Sequence, residues 1–240
     1  MGLYPAFLDL TGRRCLVVGG GPVAARKLAS LLAAGAEVRL VSPELHPETA
    51  ALAARPGVEL AERAFRPEDL AGAALVVAAA RGEVNRRVAD LARAAGVWVN
   101  VVDDPGRGDF LVPASFRRGE LTVAVSTGGA SPAVARRVRQ QLEQVFGPAW
   151  GPYLRLLARV RARLLEGDGP EAASGVRPAG ANRDIFYRLA DSDLLDLVAQ
   201  SDAAGVEALL SRELGPGWSL AHLGLEPGDL LSGSGNGEED

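Results

Sequence analysis

A short run, residues 14–18, apolar after Arg14, gives way at once to Gly19-Gly20-Gly21-Pro22-Val23-Ala24. That junction constrains the chain more than any other feature. Such an unbroken apolar stretch reads as a strand buried on both faces, as in a parallel sheet. The glycines allow a tight turn, and Pro22 suits a first helical position, where its missing N–H costs nothing. The helix predicted over 23–34 stops at Gly35, which readily takes the left-handed conformation that ends helices. The pattern then continues with a strand at 37–41 closed by Ser42-Pro43, a helix at 47–54 and a strand at 58–61. A strand at 74–79, a helix at 84–95 ending at Gly96 and a strand at 97–102 follow. Such alternation predicts βαβ units and a parallel sheet. Residues 1–112 are therefore expected to form a doubly wound, Rossmann-like α/β domain.

The rhythm changes after Asp104-Pro105. Strands are predicted at 110–112 and 121–126, antiparallel around a turn at 117–120. Thr127-Gly128-Gly129-Ala130-Ser131-Pro132 reads as a Gly-rich turn, with Ser131 capping a helix that runs to Val145. Gly147-Pro148 breaks it, and a helix over 153–165 follows. Residues 113–150 thus read as a small α+β region and 151–231 as a helical C-terminal domain. Within the latter, 166–182 reads as a mobile loop and 184–214 as short helices with cap signals at Asp191 and Ser201. Residues 232–240, acidic and rich in Gly and Ser, are expected to be a disordered tail.

Composition removes several classes. Of the 240 residues, 48% are hydrophobic and 23% charged, which excludes a wholly disordered chain. The longest apolar run, 73–80, falls far short of the roughly 20 residues that span a bilayer. The opening MGLYPAFLDL lacks the basic region of a signal peptide. A cytoplasmic protein without a membrane partner is expected. One cysteine, Cys15, excludes an internal disulfide, and two histidines, His46 and His222, exclude a His-rich metal site. The net charge of −4 conceals a positive balance over 1–150 and a negative one over 151–240. Within 113–140, Arg117, Arg118, Arg136, Arg137 and Arg139 face Glu120 alone. A basic patch on an acidic protein points to an anionic small molecule more than to nucleic acid. A solvated helix face is the competing reading.

The glycine turn carries the first chemical signal. Gly19 allows the tight turn, Gly21 lets a pyrophosphate approach the backbone, and Ala24 lets the helix pack close to the sheet. The helix N-terminus then offers free N–H groups to the anion. The acidic residue expected about 20 positions on, at the end of the second strand, is missing; Val41-Ser42-Pro43-Glu44 stands there. Glu44 can reach a ribose and no arginine follows to favour a 2′-phosphate, so NAD is favoured over NADP.

The catalytic group is narrowed by elimination. A Tyr-x-x-x-Lys dehydrogenase is excluded because Lys27, the lone lysine, lies in the glycine-loop helix. His46 and His222 fall in poor places for a base and read as surface or capping histidines. Carboxylates and hydroxyls remain. Asn100-Val101-Val102-Asp103-Asp104-Pro105 supplies two carboxylates at the carboxyl end of a predicted strand, where ligands of open α/β sheets bind. Adjacent carboxylates have separated pKa values when one is more buried. A simple turn is the competing reading.

Three motifs in order now resemble one family, the precorrin-2 dehydrogenases, also found as the N-terminal module of siroheme synthases. They are the stretch from Gly19 to Lys27; Asn100 to Pro105 with Asp109-Phe110 and Pro113-Ala114; and Arg118-Gly119-Glu120-Leu121 with Val125 to Pro132. The resemblance implies NAD-dependent oxidation of precorrin-2 to sirohydrochlorin, and in some members insertion of Fe²⁺ to give siroheme. It implies that Asp103 is the general base, able also to receive pyrrole protons during metal insertion. Pro22, Val23, Pro43 and Glu44 match positions lining the nucleotide; Gly19, Gly21, Ser42 and Asn100 are grouped with them. Thr127 stands where the family often has a serine that is phosphorylated in some members. A homodimer is implied, with 113–150 as the dimerisation region. Precorrin-2 carries eight carboxylates, so the basic 113–140 segment reads as its clamp. Arg117, Arg118 and Arg137 are the candidates there, with Thr127, Gly128 and Ser131 of the Gly-rich turn. No protein metal site is expected, and no room is seen for a fused methyltransferase. The alternatives are a non-catalytic NAD-binding redox sensor and a dehydrogenase of another anionic substrate.

Overall fold

Five short apolar strands pair in parallel, β1 (Arg14–Val18), β2 (Glu37–Val41), β3 (Val58–Ala61), β4 (Leu75–Ala78) and β5 (Trp98–Val101), in the order β3-β2-β1-β4-β5. The computed structural model describes residues 2–167 and 181–230. Side chains alternate across the sheet, as strand geometry requires. Cys15, Val17, Val38, Leu40, Leu75 and Val77 meet Ala24, Leu28 and Leu31 of helix α1 (Pro22–Ala33) on one face. Leu16, Val18, Val76, Ala78, Val99 and Val101 meet Val88, Ala89 and Ala92 of helix α3 (Glu83–Ala94) on the other. Helix α2 (Pro47–Ala53) joins β2 to β3. The sheet is thus covered on both faces, as the doubly wound expectation requires. The chain leaves β1 toward β2 and returns past it to β4, so the switch of direction falls between β1 and β4. Ligand crevices of open α/β sheets lie at that point, beyond the carboxyl ends of the strands.

The exposed edge of β5 is covered by the segment that follows it. The Asp109 N–H donates to the Val99 carbonyl at 2.7 Å, and the Asp109 carboxylate accepts from the Val99 N–H at 3.0 Å. An unpaired edge that would template aggregation is thereby blunted. This explains why the strand expected at 110–112 does not form. The antiparallel partner of β7 (Leu121–Val125) is instead β6 (Ala114–Arg118), joined through Gly119-Glu120. Gly119 adopts φ +58°, which a two-residue hairpin turn demands and glycine supplies. Arg117 and Arg118, expected in a turn, are therefore strand residues paired with Thr122 and Leu121.

Helix α4 (Pro132–Val145) follows with the expected N-cap: the Ser131 Oγ accepts from the Val134 N–H at 3.3 Å. Helices α5 (Trp150–Glu166), α6 (Ala181–Ala190), α7 (Leu194–Ala199) and α8 (Ala203–Leu214) complete the described chain, with a 3-10 turn at Pro227–Leu230. Tyr153, Leu156, Val160 and Leu164 of α5 meet Leu189, Leu194, Val198, Val206, Leu210 and Leu214 in one core. The caps expected at Asp191 and Ser201 are displaced. Asp193 and Asp202 hold those positions, and the Asp202 carboxylate accepts from the Gly205 N–H at 2.9 Å. A carboxylate at the helix N-terminus wins over the preceding Ser201, whose own backbone stands at φ +57°. The loop expected over 166–182 falls mostly outside the described residues; its edges are the end of α5 and the start of α6. The tail 232–240 lies outside them too.

Two compact units divide the chain: Met1–Val112 with Gly128–Ala130, and Pro113–Thr127 with the residues from Ser131 onward. Among the described residues, no helix is long and apolar enough to cross a membrane.

Candidate dinucleotide crevice

Each glycine of the turn after β1 has its own reason. Gly19 stands at φ +125°, and a Cβ there would lie 2.5 Å from the Ala79 backbone at the end of β4. A Cβ on Gly20 would collide with the Glu44 carbonyl and the Ser42 hydroxyl, so this position packs the turn against the loop after β2. A Cβ on Gly21 would meet nothing within 4 Å. Gly21 is also the N-cap of α1, and no side chain caps that helix. Close backbone approach and uncapped N–H groups are what a pyrophosphate requires. The residues fit a dinucleotide.

Neighbouring groups hold the turn rigid. The Gly19 N–H donates to the Val41 carbonyl at 2.9 Å and the His46 N–H to the Gly20 carbonyl at 2.8 Å. Thr49, fully buried on α2, donates its hydroxyl to the Gly21 carbonyl at 3.2 Å. Its role was invisible in the sequence, because the partner lies 28 residues away. Ser42 is buried and donates to the Glu44 carbonyl at 2.6 Å, shaping the loop after β2. Pro43 and Glu44 are exposed on that loop. Pro22 is exposed and Val23 half-buried at the start of α1. His46 occupies the N-cap position of α2 without a capping hydrogen bond from its side chain.

The carboxylate lies one relay away. Ala80, beside the backbone that Gly19 touches, donates its N–H to the Asn85 Oδ1 at 2.9 Å. The Asn85 Nδ2 donates to the Asp103 Oδ1 at 2.7 Å, and the Gly82 N–H to the Asp103 Oδ2 at 3.1 Å. These contacts hold the Asp103 carboxyl below the usual carboxylate range, the Asn85 hydrogen bond first, then the Gly82 and its own backbone N–H and the positive Arg86. Burial opposes them and loses. Asp104 is instead paired with Arg107 at 3.2 Å. The two adjacent carboxylates are thus separated by partners. Asn100 is buried on β5 and donates its amide to the Phe110 carbonyl at 2.9 Å, so it anchors the edge segment.

The candidate substrate residues lie largely in the second unit. Arg118 bonds Glu143 at 3.1 Å and lies over the Phe116 ring, and Arg139 shares the same carboxylate at 3.2 Å. Arg117 and Arg137 are exposed. The Thr127 hydroxyl accepts from the Ser131 N–H and donates to the Ser131 carbonyl, closing the Gly-rich turn, where Gly128 stands at φ +63°.

Fold and crevice together define a Rossmann-type dinucleotide-binding domain followed by a hairpin-and-helix unit. Residues 6–114 match the family model described as putative NAD(P)-binding, and 118–144 match the model of the sirohaem biosynthesis protein central region. The siroheme synthase of Thioalkalivibrio sulfidiphilus is 37% identical over 241 residues, covering 100% of this chain and 47% of that protein. Siroheme synthase 2 of Aeromonas salmonicida is 40% identical over 236 residues, covering 95% and 47%. The chain spans about half the length of the curated relatives it matches. The solved structure named "SirC, precorrin-2 dehydrogenase" shares the fold, with a TM-score of 0.67 at 24% identity over 88% of this chain and 98% of that one. The family resemblance read from the three motifs is borne out.

Proposed function

We propose that this chain is an NAD-dependent precorrin-2 dehydrogenase that forms sirohydrochlorin. The observation that carries the reading is the Asp103 carboxylate, held by Gly82 and, through Asn85, tied to the Ala80 N–H at the end of β4, the backbone against which Gly19 packs. A nicotinamide dinucleotide supplies a hydride acceptor when bound. Gly21 and the uncapped N-terminus of α1 would hold its pyrophosphate, and the Ser42-Pro43-Glu44 loop lies against that turn. Asp103 accepts the proton that leaves the macrocycle as the hydride departs and a carbon–carbon double bond forms. The Asn85 and Gly82 contacts favour its carboxylate form, the form that can accept a proton. Arg117 and Arg137 are exposed cations of the kind that pair with carboxylates.

Iron belongs to the same proposal as a second substrate. Asp103 would receive the pyrrole protons that Fe²⁺ displaces, and the macrocycle nitrogens would coordinate the metal. The protein works as a cytoplasmic homodimer through the hairpin and α4. In support, β7 has no fully buried residue, and Val134 and Val145, on one face of α4, are 51% and 70% exposed. The sensor alternative gains no support from the relatives.

The test is an anaerobic absorbance assay with freshly generated precorrin-2. The sirohydrochlorin spectrum should grow only when NAD is present, and Fe²⁺ added to the same cuvette should convert it to siroheme. A protein that binds NAD by calorimetry but leaves the spectrum unchanged would overturn the reading.

A further inference from the structure

On α3 the buried stripe is Asn85, Val88, Ala89 and Ala92, the spacing of a helix face packed on a sheet. An amide is out of place at the first of these positions. Asn85 is 1% exposed, and a polar group so deep is costly unless its polar atoms find partners. Its oxygen and its nitrogen each have one here. On one side stands the Ala80 N–H, which can only donate; on the other stands a carboxylate, which accepts. An amide fork offers an acceptor and a donor together without needing a proton to be bound, and the two partners force its orientation.

We propose that Asn85 is a positioning residue: its carboxamide ties the Asp103 carboxylate to the backbone of the nucleotide crevice and fixes where the proton acceptor stands. The inference rests on the dehydrogenase reading for its catalytic consequence, though not for its geometry. The charged surroundings leave this task to Asn85. Arg86, on the same helix, acts on Asp103 through space while its guanidinium is bonded to Glu83 at 2.7 Å. On the other side Asp104 is held by Arg107, which also approaches Asp90 at 3.8 Å. The contact from the Gly82 N–H is longer than the amide bond.

Two variants separate positioning from mere packing. Asn85→Leu removes both hydrogen bonds at similar volume. Asn85→Asp keeps the shape and the acceptor for Ala80 but sets a second carboxylate against Asp103, which disfavours ionisation of the pair. The ¹³C carboxyl resonance of Asp103 is titrated in the wild type and both variants, with no substrate present. Its midpoint is expected to rise in both. The acid limb of kcat for precorrin-2 oxidation should rise with it, and kcat at neutral pH should fall on the order of tenfold to a hundredfold, the range for losing a hydrogen bond to a charged group. KM for NAD should stay at the wild-type value. An Asp103 midpoint unmoved in both variants overturns the proposal, as does a fall in kcat with an unmoved acid limb. Absence of turnover in the wild type would reject the dehydrogenase reading alone, because the carboxyl titration still decides whether Asn85 sets Asp103.

Discussion

The glycine crevice and the hairpin with α4 are built on opposite terms. Around the crevice, β1 and β4 are buried almost throughout, and every turn is braced by a neighbour: Gly19 by β4, Gly20 by the loop after β2, Gly21 by Thr49. In the hairpin unit, Phe116 of β6 and Ala135 of α4 are buried, while the apolar side chains of β7 are only partly covered. One region completes its site with its own chain; the other leaves apolar surface for something else to cover. A site that must hold a rigid cofactor gains from preorganisation. In the proposed homodimer, a surface that joins copies gains from being left open.

The largest expected effect is chemical. Asp103→Ala should lower kcat by about 10²- to 10⁴-fold, the usual contribution of a general base, with NAD affinity by calorimetry retained. Retained turnover would break the view that the crevice is complete in itself. Next comes stability at the glycines. Gly19→Val places a branched side chain at a positive φ and against the β4 backbone, and should cost about 2–5 kcal/mol in denaturant unfolding. Gly21→Ala meets nothing, so its unfolding curve should match the wild type while NAD binding weakens. Equal stability losses at both positions would contradict the division of roles.

The crevice unit also carries a buried acid. Asp69 is 2% exposed and bonds Arg63 at 2.7 Å and Arg39 at 3.1 Å. The Arg63 hydrogen bond leads in holding its carboxyl below the usual range, with help from the Arg66 N–H. A depressed pKa gives stability that is full above the unfolded carboxylate's value, about 4, and is lost as pH falls through the folded value. Asp69→Asn should cost about 1–3 kcal/mol at neutral pH and flatten the acid side of the stability profile.

The hairpin unit is tested by assembly. Replacing Val134 and Val145 together by Glu should turn a dimer into a monomer by light scattering, with the crevice still binding NAD. A variant that stays dimeric would move the interface elsewhere. The smallest effect is local: Ser131→Ala removes the cap of α4 and should lower stability by about 1 kcal/mol.

Much of this was legible in the sequence, where local rules suffice. The order of strands and helices, the turn at Gly19 and the cap at Ser131 all follow from properties of adjacent residues. The strand expected at 110–112 failed for a non-local reason: Asp109 and Phe110 are engaged by Val99 and Asn100 along the β5 edge. Arg118, read as a free cation, is committed to Glu143, 25 residues on.

By itself the sequence determined the backbone plan, because glycine conformational freedom, helix capping and apolar alternation act within a few residues. Only the tertiary structure decided which side chains meet. Asn85 gave no signal beyond a polar residue on an apolar stripe, and it reaches Asp103, 18 positions away, only because β4 and β5 lie side by side. Partners so distant in the chain are set by strand order and register, which fix the ends of neighbouring strands in one place.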